Sequence, residues 1–130
     1  MQCRSHDATT LMRRLDAIPV DDVATSIVSF QEQMHGWLAF LNNATKAAQV
    51  LHAYVRLDEM RRAFERLNVL LFDESAELIY ENLRPQCRRV GTLDLRIASI
   101  ALATDSTLLT RNFADFERVP GLRFEDWTQP

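Results

Sequence analysis

Apolar residues follow two rhythms along this chain. Short aliphatic and β-branched runs bounded by turn residues predict covered strands at Val23–Val28 (VATSIV), Val69–Phe72 (VLLF) and Thr107–Thr110 (TLLT). A fourth run, Leu122–Phe124, leaves the Pro120-Gly121-Leu122 turn and predicts a short edge strand. Elsewhere apolar residues recur every three or four positions, the spacing of a helix with one buried face. That spacing predicts a short helix over Ala8–Ala17, with Leu11, Leu15 and Ile18 inward and Asp7 as its cap. It predicts another from Phe30 to about Asn42, with Met34, Trp37, Leu38 and Leu41 inward. From Ala44 to Leu67 it continues as one long helix or two with a bend. Val50, Leu51, Tyr54, Leu57, Met60, Phe64 and Leu67 form the inner face there, and Lys46, Arg56, Arg61, Arg62 and Arg66 a solvated one. A helix from Glu74 to about Arg84 turns Ala76, Ile79, Tyr80 and Leu83 inward and is stopped by Pro85. The last begins after Gly91-Thr92 and buries Leu93, Ile97, Ile100, Ala101 and Ala103–Thr104. Trp37 and Trp127 read as core.

Local signals set the helix starts. Ser29-Phe30-Gln31-Glu32 fits a capping box, with Ser29 as N-cap and Glu32 at N3. Asp73 is placed to cap the helix at Glu74. Strands and helices alternate, which predicts an α/β fold with a mostly parallel sheet and helices on both faces. In such sheets ligands bind beyond the carboxyl ends of the strands. Three carboxylates fall there: Glu32 after the first strand, Asp94 opening the helix after Gly91, and Asp115 in the polar loop Arg111–Phe116 after TLLT.

Composition narrows the function classes. At 130 residues, 47% hydrophobic and 25% charged, the chain fits one ordinary globular domain. Residues 1–6 are polar and read as an unstructured tail, leaving 7–130 as that domain. A net charge of −3 argues against a generic polyanion binder, so any nucleic-acid contact falls to a local basic patch. Cys3 and Cys87 lack metal or redox spacing and read as free thiols in a reducing compartment. The polar N-terminus carries no apolar signal region and no run suggests a membrane span, so the expected location is the cytoplasm.

Clustered carboxylates repel and need a cation or proton to coexist. Hard Mg²⁺, or Mn²⁺ in its place, takes oxygen ligands and can support attack on a phosphodiester. The sequence holds no Cys/His zinc set, no P-loop and no G-x-S-x-G. Each candidate also has a plainer role: Glu32 closing a capping box, Asp94 meeting a helix dipole, Asp115 sitting in a loop. Arg111 and Arg118 suit phosphate contacts or simple neutralisation of Asp115 and Glu117.

The segments TSIVSFQEQMHGW (25–37), GTLDLRIASIALA (91–103), LLTRNFADF (108–116) and VPGLRFEDW (119–127), in that order, resemble VapC-type toxin ribonucleases of the PIN-domain family. The resemblance implies a three-layer α/β/α fold and a set of acidic residues that bind Mg²⁺ at the carboxyl edge of the sheet. Carried over, those are Glu32 in SFQEQ, Asp94 in TLDLRIA and Asp115 in NFADF. Asn112 stands where members carry an acid after Thr-Arg, and there it would orient water or act as a weak metal partner. The resemblance further implies an RNA substrate, often tRNA, a small VapB-like antitoxin and a homodimer.

One family feature has no match. The central first strand, which ends in an aspartate, is missing, and the resemblance starts near Asp7–Leu15, inside the following helix. The expectation is an N-terminally truncated toxin. Two functions stay open: a Mg²⁺-dependent endoribonuclease, and a catalytically impaired relic that only binds antitoxin or dimerises.

Overall fold

A computed structural model describes residues 5–128. The chain forms α1 (Ser5–Asp16), a 3₁₀ turn (Val20–Asp22), β1 (Ala24–Ser26), α2 (Ile27–Asn43), α3 (Ala47–Arg66), β2 (Asn68–Leu70), α4 (Glu74–Leu83), α5 (Thr92–Ala103), β3 (Leu108–Leu109), α6 (Phe113–Phe116) and β4 (Phe124–Glu125). The α/β reading with parallel strands holds. Ladder bonds among the described residues form two parallel pairs, β1 with β2 and β3 with β4. Two compact units result, one from Met1–Val23 with Phe72–Pro130 and one from Ala24–Leu71. No helix of the described residues is long and apolar enough to cross a membrane.

In the unit Ala24–Leu71, Ala24, Thr25 and Ser26 pair in register with Asn68, Val69 and Leu70. The run VATSIV is strand only as far as Ser26. Ser26 Oγ accepts the backbone N–H of Ser29 at 3.0 Å, so Ser26 is the N-cap and Ile27-Val28 open α2. The expected Ser29/Glu32 capping box therefore does not form. Here the cap overrides the β preference of Ile and Val, and Val28 is buried in its helical place.

α3 is one continuous helix. It starts at Ala47, where Gln49 Oε1 accepts the N–H groups of Thr45 and Lys46. Its inner face is Val50, Ala53, Leu57, Met60 and Phe64, and Phe64 meets Phe30 of α2 edge-on at 5.0 Å. Leu51 and Tyr54 were expected inward but are 68% and 59% exposed. Ala53 takes the buried line because a methyl lets the helices approach closely. Trp37 is half-buried beside Phe40 and His52 rather than in a core. The arginines lie on a solvated face as expected, with Arg61 bridging Asp58 and Glu65 and Arg62 also reaching Asp58.

In the other unit, α4 and α5 share a core of Tyr80, Leu83, Cys87, Val90, Leu95, Ala98, Ala101, Phe116, Val119 and Leu122. Asp73 caps α4 as expected, accepting from Ala76 N at 3.0 Å. Gly91, with extended backbone, caps α5, and Thr92 is its first residue. α5 buries Leu95, Ala98, Ser99, Ile100 and Ala101, a face rotated from the expected one, on which Leu93 and Ile97 are half-buried. The Cys87 thiol donates to the Arg118 carbonyl at 3.5 Å. Cys3 lies outside the described residues. Ser5 and His6, expected in the tail, belong to α1, and Asp7 lies inside that helix rather than capping it.

Two residues past the end of α5, Asp105 has a φ of 52°, in the left-handed region. Arg123, just before β4, donates to the Asp105 carbonyl at 2.7 Å and to its carboxylate at 2.9 Å. This clamp spans the turn into β3. Only two residue pairs, Leu108 with Phe124 and Leu109 with Glu125, build the β3–β4 ladder.

Candidate active site

The carboxyl ends of β3 and β4 lie on the same side because the strands are parallel. Past β3, Thr110 N–H still bonds the Glu125 carbonyl at 3.0 Å, and the chain then leaves the ladder. Thr110 Oγ1 accepts the Asn112 N–H at 3.0 Å, turning the backbone into α6. The expected polar loop at 111–116 is thus a turn followed by one helical turn. Buried Phe116 and the edge contact of Phe113 with Phe124, at 5.0 Å, hold that turn in place. Asn112 Nδ2 then donates to Asp115 Oδ2 at 2.8 Å.

Asp94 reaches this region from the first turn of α5, where the helix N-terminus favours negative charge. The helix beneath it is tightly buried, and the Ser99 hydroxyl donates to the Leu95 carbonyl at 2.7 Å. Burial pushes the half-buried Asp94 carboxyl above its ordinary pKa, and the nearby Asp115 charge adds to that rise. Two of the three expected carboxylates therefore sense one another. Glu32 lies in the other unit, on the second turn of α2, exposed and past the helix start rather than in a capping box.

Beyond β4, Asp126 accepts both the hydroxyl and the backbone N–H of Thr128, which holds its carboxyl below the ordinary range, and the charges of Arg111 and Arg14 assist. The charge of Arg111 is thus felt at Asp126. Arg118 donates from Nε to the Ala114 carbonyl at 3.2 Å. Trp127 is half-buried, donates to Glu125 at 3.0 Å, and carries the Arg14 guanidinium 4.6 Å above its ring. By pattern alone Thr110 is only the end of a strand and Asp126 only part of the chain's packed end. The Thr-x-Asn and Asp-x-Thr spacings, each just after a strand, were the signals that could have found them.

Among the described residues, no three His, Cys, Asp or Glu side chains gather into a group able to hold a metal ion. The Asp94–Asp115 pair still has the right donor chemistry for a hard divalent cation: carboxylate oxygens whose mutual repulsion a cation would relieve.

The PIN domain family model matches residues 2–122. Ribonuclease VapC1 of Haemophilus influenzae (strain R2866) is 32% identical over 116 residues, covering 86% of this chain and 79% of its own. The tRNA(fMet)-specific endonuclease VapC of Salmonella typhimurium is 38% identical over 66 residues, 48% of this chain and 50% of its own. The structure of VapBC-1 from nontypeable Haemophilus influenzae superposes with a TM-score of 0.73 at 25% identity, covering 93% of this chain and 87% of that one. The chain belongs to the PIN-domain family, and within it to the VapC-type proteins.

Proposed function

We propose that this chain is a divalent-metal-dependent endoribonuclease and the toxin of a VapBC-type toxin–antitoxin pair. The observation that carries the reading is the placement of Asp94, at the start of α5, within electrostatic reach of Asp115, which follows β3 of a parallel strand pair. Two acids brought together at the expense of charge repulsion are a poor structural device and a good cation site. The relatives supply the chemistry. Haemophilus VapC1 is named a ribonuclease, and the Salmonella protein a tRNA-specific endonuclease, so RNA is the substrate class and tRNA the leading member. A VapB-like antitoxin is the matching partner, and the cytoplasm the setting.

Asp94 and Asp115 would hold Mg²⁺, or Mn²⁺ in its place. When bound, the cation supplies charge stabilisation at the phosphoryl oxygens and acidifies water at the scissile bond. Asn112 keeps the Asp115 carboxylate oriented, and its amide oxygen is suited to orient a water. Arg111 and Arg118 would meet flanking phosphates and offset the acidic site.

Cleavage of RNA with and without Mg²⁺, comparing the wild-type chain with Asp94→Ala, tests this. Activity that needs the ion and is lost in the variant is expected. Activity surviving both EDTA and the substitution overturns the mechanism. A chain that binds a VapB-like antitoxin yet neither cleaves RNA nor gains stability from Mg²⁺ is instead a non-catalytic binding module.

A further inference from the structure

Arginines on α3 are spent within their own helix: Arg56 pairs with Glu59, Arg61 with Asp58 and Glu65, and Arg62 with Asp58. Those between α4 and α5 are not. The segment 84–96 (RPQCRRVGTLDLR) carries four arginines against one acid, Asp94, in a chain whose net charge is −3. Arg84 and Arg96 lie over the buried Tyr80 ring, 6.0 and 5.5 Å from its centre. Arg88 and Arg89 are exposed, and among the described residues neither guanidinium has an ion pair or a hydrogen bond.

Backbone geometry fixes where this charge points. The Val90 N–H donates to the Cys87 carbonyl at 3.0 Å, closing a turn with Arg88 and Arg89 at its two central positions. Cys87 and Val90 are both buried in the core, so the pair between them faces water. Directly after this turn, Gly91 caps α5, whose first turn carries Asp94. The Cys87 thiol donates to the Arg118 carbonyl, and Arg118 follows α6, which carries Asp115. The turn is thus tied to both elements that supply the acidic pair.

We propose that the Cys87–Val90 turn is a docking point for the RNA backbone, with Arg88 and Arg89 taking phosphates of the strand that passes on to Asp94 and Asp115. The inference rests on RNA being the substrate, and it names a surface outside the acidic pair. Arginine suits phosphate because its planar fork gives two parallel hydrogen bonds. Neither arginine has to leave a protein acid first, and a turn pinned by two buried residues loses little freedom on binding. Phosphate contacts carry no base information, so they raise affinity for folded RNA without selecting a sequence. They also offset the repulsion that an acidic chain presents to a polyanion.

Anisotropy of a labelled tRNA titrated with the full chain in EDTA, across ~50 to ~200 mM salt, is the test, with circular dichroism as a check on folding. Arg88→Ala/Arg89→Ala should bind ~10-fold more weakly at the low-salt end. Its salt slope should fall by about 1–2, the share of two phosphate contacts. Arg88→Lys/Arg89→Lys keeps both charges and should keep the slope. Arg61→Ala/Arg62→Ala removes the same charge from α3 and should bind as wild type does. A wild-type chain that binds no tRNA, or an equal loss in the α3 variant, would overturn the proposal. So would an alanine pair with unchanged affinity and slope, the result expected if the turn serves an acidic protein instead. Mg²⁺-dependent cleavage beside that last result would leave the nuclease reading standing. Arginine-dependent binding without cleavage would remove that reading and keep this one.

Discussion

The side-chain amide of Asn112 donates to Asp115 Oδ2 at 2.8 Å, and Thr110 Oγ1 accepts from the Asn112 backbone 3.0 Å away. The carboxylate that faces Asp94 is therefore oriented by a relay that begins at the end of β3. Asn112→Ala should loosen Asp115 without unfolding the chain, because Asn112 is exposed. A hydrogen bond to a charged group contributes about 1.5–3 kcal/mol, and exposure puts this one at the lower end. Mg²⁺ affinity should fall ~10-fold, measured by calorimetric titration. Unchanged affinity would remove Asn112 from the site.

Asp94 carries a stability consequence of its own. Burial, then the Asp115 charge, raises its folded pKa above the unfolded value, so the native chain holds that proton more tightly. Stability without divalent ions should therefore fall as pH rises from the unfolded carboxylate pKa through the folded one. Asp94→Asn should remove this slope and raise the melting temperature at pH 7 in EDTA, while abolishing the gain seen with Mg²⁺. A variant less stable than wild type in EDTA would contradict the mutual repulsion.

Asp126 should respond in the opposite sense. Its bonds from Thr128, helped by Arg111 and Arg14, lower its folded pKa. The stability it contributes is fully present above the unfolded value of about 3.9 and is lost as pH falls through the folded one. Urea unfolding of wild type and Asp126→Asn should differ at pH 7 and converge in acid. A difference that persists below the folded pKa would count against this.

At the start of α2, Ser26 rather than Ser29 is the cap. Ser26→Ala should cost about 1 kcal/mol, and Ser29→Ala clearly less, in paired denaturation curves. Equal effects would return the capping role to Ser29.

The contrast at α2 shows what the sequence could and could not reveal. Asp73 was legible as a cap because a strand ended before it and a clear helical period followed, and the structure makes that bond. Ile27 and Val28 misled because β-branched residues look like strand until a serine three positions earlier is known to hold Ser29. Leu51 and Tyr54 fit a helical inner face by spacing, yet small Ala53 won the buried line, a choice set by how closely two helices approach. The positions of Asp94 and Asp115, one opening a helix and one following a strand, made their meeting legible, and the charge of Asp115 does reach Asp94. Asn112's bond to Asp115 was not, since it depends on a turn built by Thr110.

The guanidinium of Arg123 on Asp105 has one more effect. A ladder of two residue pairs has almost nothing to stop it sliding, and a one-step slip sends every side chain to the opposite side of the strand. Thr110 and Asp126 would then swap sides with their neighbours. By gripping the left-handed corner before β3 from the residue next to β4, Arg123 works as an alignment pin, letting two of the shortest strands in the molecule aim their trailing residues with the accuracy of long ones.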